Sequence, residues 1–125
     1  MDKNYIPEYL KDHIIYENES FLTAIYKLEK NRRTILACLN ENGKYSGIIT
    51  PFDYNCTLFY DDIPNLTAGD ICNKNSKFIR NKGDMYNEAR NAFARFGKIR
   101  HSPVLDENNF IIDIISREQA FYHKF

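Results

Sequence analysis

Two stretches of the chain repeat one another in register. Residues 39–53 read LNENGKYSGIITPFD and residues 105–119 read LDENNFIIDIISREQ, at a constant spacing of 66. Glu41 pairs with Glu107, Asn42 with Asn108, Ile48-Ile49 with Ile114-Ile115, Thr50 with Ser116 and Asp53 with Gln119. An internal repeat implies units of one kind, each with an apolar face that it cannot bury alone. Split over 125 residues, each copy has about 60, and a chain that short buries only roughly 60% of its surface by itself. The copies are therefore expected to share a core, with a cleft between them.

Charge narrows the partners. The 17 basic and 17 acidic side chains cancel, which argues against a general affinity for nucleic acid or anionic membrane, since both need a positive field. A local basic pocket stays compatible with that balance. No apolar run approaches the ~20 residues that span a bilayer. The N-terminus, MDKNYIPEYLKDH, is polar and has no h-region, so no secretory signal is read and a cytoplasmic location is expected. Cys38, Cys56 and Cys72 are odd in number and lack metal-ligand spacing, which fits reduced, partly buried thiols. Nine Tyr and nine Phe make a heavy aromatic load and point to a further buried face, such as a dimer interface.

The order of elements follows from periodicity and punctuation. Pro7 opens a short helical lead-in to an extended stretch, His13 to Tyr16. Ser20 can cap a helix whose Phe21, Ala24, Ile25 and Leu28 share one face, ending at Lys30-Asn31-Arg32-Arg33. Thr34 to Leu39 is continuously apolar, as a strand covered on both faces would be. Asn42-Gly43 then predicts a two-residue hairpin into Lys44 to Thr50. A helix begins at Pro51 and runs through Leu58 and Phe59, and residues 61–67 link to the second copy. There, Thr67 caps a short turn into Ile71-Cys72 and Phe78-Ile79 is a strand. Asp84 caps a helix that ends at Gly97. Arg100 to Leu105 and Phe110 to Ser116 form the second hairpin, and residues 117–125 the last helix. The chain stops at Phe125 without a cap, which fits either a natural C-terminus or a segment of a longer protein.

Two quoted runs carry a family likeness. Gly47-Ile48-Ile49-Thr50-Pro51-Phe52-Asp53 matches a signature of glycine, two apolar residues, Thr or Ser, and Asp or Asn three positions later. Ile99-Arg100-His101-Ser102-Pro103-Val104-Leu105-Asp106-Glu107 looks like the strand and turn that accompany it. On these residues the repeat resembles a cystathionine-β-synthase (CBS) domain, and the tandem resembles a Bateman module, from about Pro7 to Phe125. The resemblance implies an α+β fold of two β-α-β-β-α repeats, residues 7–62 and 68–125, packed through their sheets with pseudo-twofold symmetry. It also implies a regulatory, non-catalytic module that binds AMP, ADP, ATP or S-adenosylmethionine in the cleft. Such modules pair into homodimers and control a fused or associated enzyme.

The site expected from that resemblance can be argued physically. A strand that ends in Thr50 and turns into a helix aims the hydroxyl and the first free N–H groups at one spot, suited to anions and hydroxyls. Asp53, one turn in, offers a carboxylate to the two hydroxyls of a ribose, and Ile48 and Ile49 would floor a purine. The alternative for Thr50 and Asp53 is helix capping, which stabilises by about 0.5–2 kcal/mol without a ligand. In the second copy Ser116 keeps the hydroxyl, but Asp113 stands for glycine and Gln119 for Asp. A second site there is expected to be degenerate, because Gln lacks the charge-assisted clasp. Arg100 and His101 hold the places where nucleotide-binding members carry phosphate contacts, while Arg32 and Arg33 read as a solvated helix end.

The catalytic inventory is thin. His13, His101 and His123 are isolated, and no nucleophile elbow, Walker loop or dinucleotide fingerprint is present. No enzyme activity, resident cofactor or metal is expected. The competing function is a ligand-free dimerisation module built on the aromatic helices around Phe52–Phe59 and Phe121–Phe125.

Overall fold

The structure is a computed structural model that describes residues 6–32, 34–57 and 65–122. Arg33, Leu58, Phe59, His123 and Phe125, and the link up to Pro64, lie outside the described residues. By its contacts the chain divides between Ser76 and Lys77. It is a mixed α+β protein with one three-stranded sheet in each unit.

The first unit runs from a 3-10 helix, Glu8–His13, into β1 (Ile14–Tyr16), α1 (Phe21–Lys30), β2 (Leu36–Leu39), β3 (Tyr45–Ile49), α2 (Pro51–Thr57) and α3 (Ala68–Ile71). Ser20 Oγ accepts from Thr23 N–H at 3.2 Å and caps α1 as its position predicts. The helix buries Phe21, Ala24 and Leu28. β2 is central in the sheet, parallel to β1 and antiparallel to β3. All four of its residues are buried, which explains its unbroken apolar run. Ile15, Leu36, Cys38 and Ile49 meet Ala24 and Leu28 of α1 and Ala68 of α3 in one core. Each large side chain so buried contributes roughly 1.5–3 kcal/mol.

The segment around α3 reads in the sequence as the opening of the second copy, yet it is bonded into the first unit. Phe21 N–H donates to Leu66 O at 3.0 Å, Ala68 N–H to Glu19 O at 2.8 Å and Gly69 N–H to Glu17 O at 2.9 Å. Asn73 then bridges Ile48 on β3 through a reciprocal pair of 2.8 and 3.2 Å.

The second unit contains β4 (Ile79–Arg80), α4 (Met85–Phe96), β5 (His101–Leu105), β6 (Ile111–Ser116) and α5 (Arg117–Tyr122). Asp84 caps α4 by accepting from Asn87 N–H at 3.1 Å. Phe93, Ala89 and Ala92 pack on Ile79, Val104 and Ile115, with Ala120 of α5 completing the core.

The two hairpins share one register. Leu36 faces Ile49 as Ser102 faces Ile115, Cys38 faces Gly47 as Val104 faces Asp113, and each β2-type strand has a bulge at the same place. The turns depart from the predicted two-residue form. Asn40 pairs with Lys44 and Asp106 with Phe110, at 2.8 and 2.9 Å, so each loop has three residues. Only its last residue, Gly43 or Asn109, has positive φ, at 78° and 68°. Asn40 Oδ1 and Asp106 Oδ1 each accept two backbone N–H groups across the loop, which fixes that form in both copies.

Candidate ligand-binding site

In the first unit β3 delivers Thr50 to the start of α2, where it and Asp53 bind each other. Asp53 Oδ2 accepts from Thr50 N–H and from Thr50 Oγ1–H, both at 2.9 Å, and Asp53 N–H reaches back to Thr50 Oγ1 at 3.3 Å. The arrangement is a reciprocal capping box. It fixes the carboxylate at the helix start, against the positive end of the peptide dipoles. Both bonds from Thr50 go to the one oxygen, Oδ2.

Strand alternation separates the two isoleucines. Ile49 is fully buried in the core, whereas Ile48 is half-buried and points to the opposite face. The expectation that both floor a purine does not fit Ile49, which is a core residue.

Gly47 has a different reason from a ligand's approach. A Cβ there would stand 2.5 Å from Asn73 O and 3.2 Å from Cys72 Sγ. The close approach that glycine permits is made by the chain's own segment after α3. Asp113 takes the equivalent place opposite Val104, and its Oδ1 accepts from Ile114 N–H at 2.8 Å.

In the second unit Ser116 and Gln119 repeat the box. Gln119 Oε1 accepts from Ser116 N–H at 2.8 Å, and Gln119 N–H donates to Ser116 Oγ at 3.0 Å. A carboxylate at Asp53 takes both the amide and the hydroxyl of its partner, whereas the Gln119 oxygen takes the amide alone. The cap survives the Asp-to-Gln difference, and the negative charge does not.

Arg100 and His101 are brought to this same end of β5. His101 is half-buried and pairs across the strands with Ser116. Arg100 Nη2 donates to Glu118 Oε1 at 2.8 Å. That hydrogen bond holds the exposed Glu118 carboxyl below the usual carboxylate range. Both partners are exposed and screened by solvent, so a phosphate competing for Arg100 displaces little. Sequence reasoning named Arg100 but not Glu118. Its position two residues into α5 was the available signal, since acids favour the first turn.

Arg117 was also missed. Its guanidinium donates to Phe93 O at 3.1 Å, to Ile99 O at 3.1 and 3.2 Å and to Gly97 O, and it stacks 5.3 Å from the Phe93 ring centroid. It is a structural cation that closes the end of α4. Arg32 is exposed in the left-handed region, φ 65°, at the end of α1, consistent with a solvated helix end. A separate depression in the first unit, lined by Tyr16, Glu17, Asn18, Asn40, Glu41 and Asn42, includes none of the predicted residues. Its two carboxylates are unsuited to an anion. Among the described residues no cluster of three or more His, Cys, Asp or Glu could hold a metal, and no helix is long and apolar enough to cross a membrane.

No family model and no curated protein matches the chain in sequence. Solved structures do match in fold. CBSX2 from Arabidopsis thaliana, in a complex with AMP, superposes with a TM-score of 0.72 at 19% identity, over 88% of this chain and 84% of that one. The CBS domain pair of protein MJ0100, in complex with 5-methylthioadenosine and S-adenosylmethionine, gives 0.68 at 22% identity, over 87% and 84%. The CbpB protein of Listeria monocytogenes, in complex with c-di-AMP, gives 0.69 at 15% identity, over 87% and 83%.

Proposed function

We propose that this chain, which has the fold of a tandem CBS-domain pair, is a regulatory, non-catalytic module that binds an adenosine-containing ligand. The observation that carries the reading is that three fold neighbours hold ligands of one chemical class, all containing adenosine. The ordered Thr50–Asp53 box supports it locally, because it presents a fixed carboxylate of the kind that accepts ribose hydroxyls. Ile48 is the apolar neighbour offered to a base. In the second unit, Arg100 and His101 beside the weaker Ser116–Gln119 box are the side chains proposed to meet a phosphate. The occupied module would control a fused or associated enzyme.

A thermal-shift panel of AMP, ADP, ATP and S-adenosylmethionine tests this. One member is expected to raise the melting temperature, with occupancy at a hundred times Kd adding ~2.7 kcal/mol. Asp53→Ala should abolish the response and Gln119→Ala should leave it. No shift with any member refutes the sensor reading.

A second reading, a ligand-free dimerisation module, is favoured by exposed apolar side chains. Leu22 and Tyr26 on the outer side of α1 are 63% and 60% exposed, and Phe52 on α2 is 72% exposed. Light scattering at micromolar concentration decides whether a homodimer forms.

A further inference from the structure

Cys72 lies where the chain leaves α3, over Gly47, and Gly47 faces Cys38 across the β2–β3 pair. The missing side chain at Gly47 leaves the space that Cys72 Sγ occupies. Cys72 packs against the core cluster that contains Cys38, and its Sγ donates to Gly69 O at 3.8 Å. Cys38 is fully buried, whereas Cys72 is partly open to solvent. From this juxtaposition we infer that Cys38 and Cys72 form an oxidisable dithiol, with Cys72 reacting with a hydroperoxide and Cys38 resolving the product to an intramolecular disulfide.

The chemistry balances. The Cys72 thiolate attacks one peroxide oxygen, the O–O bond breaks, and hydrogen peroxide leaves its other oxygen as water, giving a Cys72 sulfenic acid. Cys38 Sγ then attacks Cys72 Sγ; the S–S bond forms, the S–O bond breaks, and the hydroxyl leaves as water with the Cys38 proton. Two thiols and one peroxide become one disulfide and two waters.

The surroundings assign these roles. The neighbouring Cys38 thiol lowers the Cys72 thiol to about 7, helped by Lys74 and the Ser46 hydroxyl and opposed by partial burial and by Glu17. The Cys72 thiol and burial push the Cys38 thiol up. Near neutral pH the reachable sulfur is substantially thiolate and the buried one keeps its proton, as an attacker and a resolver require. Tyr45 stands near both thiols, but burial pushes its phenol up to about 12, so it is neutral there. The inference is independent of any adenosine ligand.

The disulfide would tie the segment after α3 to β2 across the strand that leads to Thr50. The test uses the full chain carrying Cys56→Ser, so that only this pair remains. Hydrogen peroxide is added, free thiols are blocked with N-ethylmaleimide, and peptides are mapped. The expected result is loss of both thiols together, a monomer lighter by two hydrogens, and a Cys38–Cys72 peptide reversed by dithiothreitol. Before oxidation, Cys72 should alkylate about tenfold faster than Cys38 at neutral pH. Trypsin cleavage after the exposed Lys74 should slow once the pair is oxidised. Cys72→Ser, which leaves the buried Cys38 in place, should abolish the mass loss. Two thiols still alkylable after peroxide, a persistent Cys72 sulfenic acid, or a disulfide found only between chains would each overturn the inference.

Discussion

The two units reach the same hairpin register by closing the same corner in different ways. In the first, α1 has ten residues, and buried Asn31 links its end to the next strand. Asn31 Nδ2 donates to Asp12 O at 2.8 Å and Ile35 O at 2.9 Å, while its Oδ1 accepts from Thr34 N–H at 3.1 Å. In the second, α4 has twelve residues, and the carbonyls at its end are gathered by Arg117 from the far side of the hairpin. The difference can be located. Ile15 and Ile79, like the caps Ser20 and Asp84, are 64 residues apart, whereas every pair after the helix is 66 apart. Two added helical residues turn the exit by about 200° and advance it by about 3 Å. A local amide no longer spans that corner, and a long cation does. Hairpin register is thus conserved between the copies while the connection into it is free to change.

The largest test of this comparison is Arg117→Ala. It strips the charged donor from several carbonyls and removes the stacking on Phe93, so a loss of about 3 kcal/mol is expected in urea denaturation. Asn31→Ala should cost about 1–3 kcal/mol, with hydrogen exchange rising around α1 instead of α4. If both variants loosen the same unit, the comparison fails. Gly47→Ala comes next: the new methyl collides with Asn73 O, and about 1–3 kcal/mol should be lost. Asp113→Ala, at the equivalent position, makes no such collision and should cost less, about 0.5–1.5 kcal/mol for the lost bond to Ile114 N–H. Thr50→Ala and Ser116→Ala each remove a cap worth about 1 kcal/mol, with Thr50 the costlier because its hydroxyl also donates to Asp53. Equal costs would mean that the charge difference between the boxes has no structural effect.

The smallest effect is a pH dependence. Glu118 titrates below its ordinary range in the folded protein, so its contribution is present above the unfolded value and fades as the solution is acidified through the folded one. Glu118→Gln should flatten that part of the stability profile, and 1 M salt should do the same.

Much of the architecture was legible because its signals are local. Ser20, Thr67 and Asp84 cap as their positions predict, and the repeat carried both hairpins. The turn length was misread because Asn-Gly serves two loop forms, and the choice is made by Asn40 and Asp106, outside the dipeptide. Thr50 and Asp53 were placed correctly at a helix start, but the pattern alone does not tell Ile48 from Ile49; the pleat does. Arg117 and the Cys38–Cys72 contact were invisible for a common reason. Each joins residues far apart in sequence, and the second depends on α3 packing against the sheet of the first unit.

The reciprocal bond between Asn73 and Ile48 has a consequence for how the protein behaves at high concentration. β3 is the outer strand of its sheet, and an outer strand with open amides recruits strands from other molecules. Asn73 occupies that edge at Ile48. At the same place on β6 the chain sets the carboxylate of Asp113, and a charge there discourages pairing between chains. One copy shields its edge with backbone and the other repels with charge. Asp113→Val is therefore the single change most expected to turn a soluble preparation into an aggregating one.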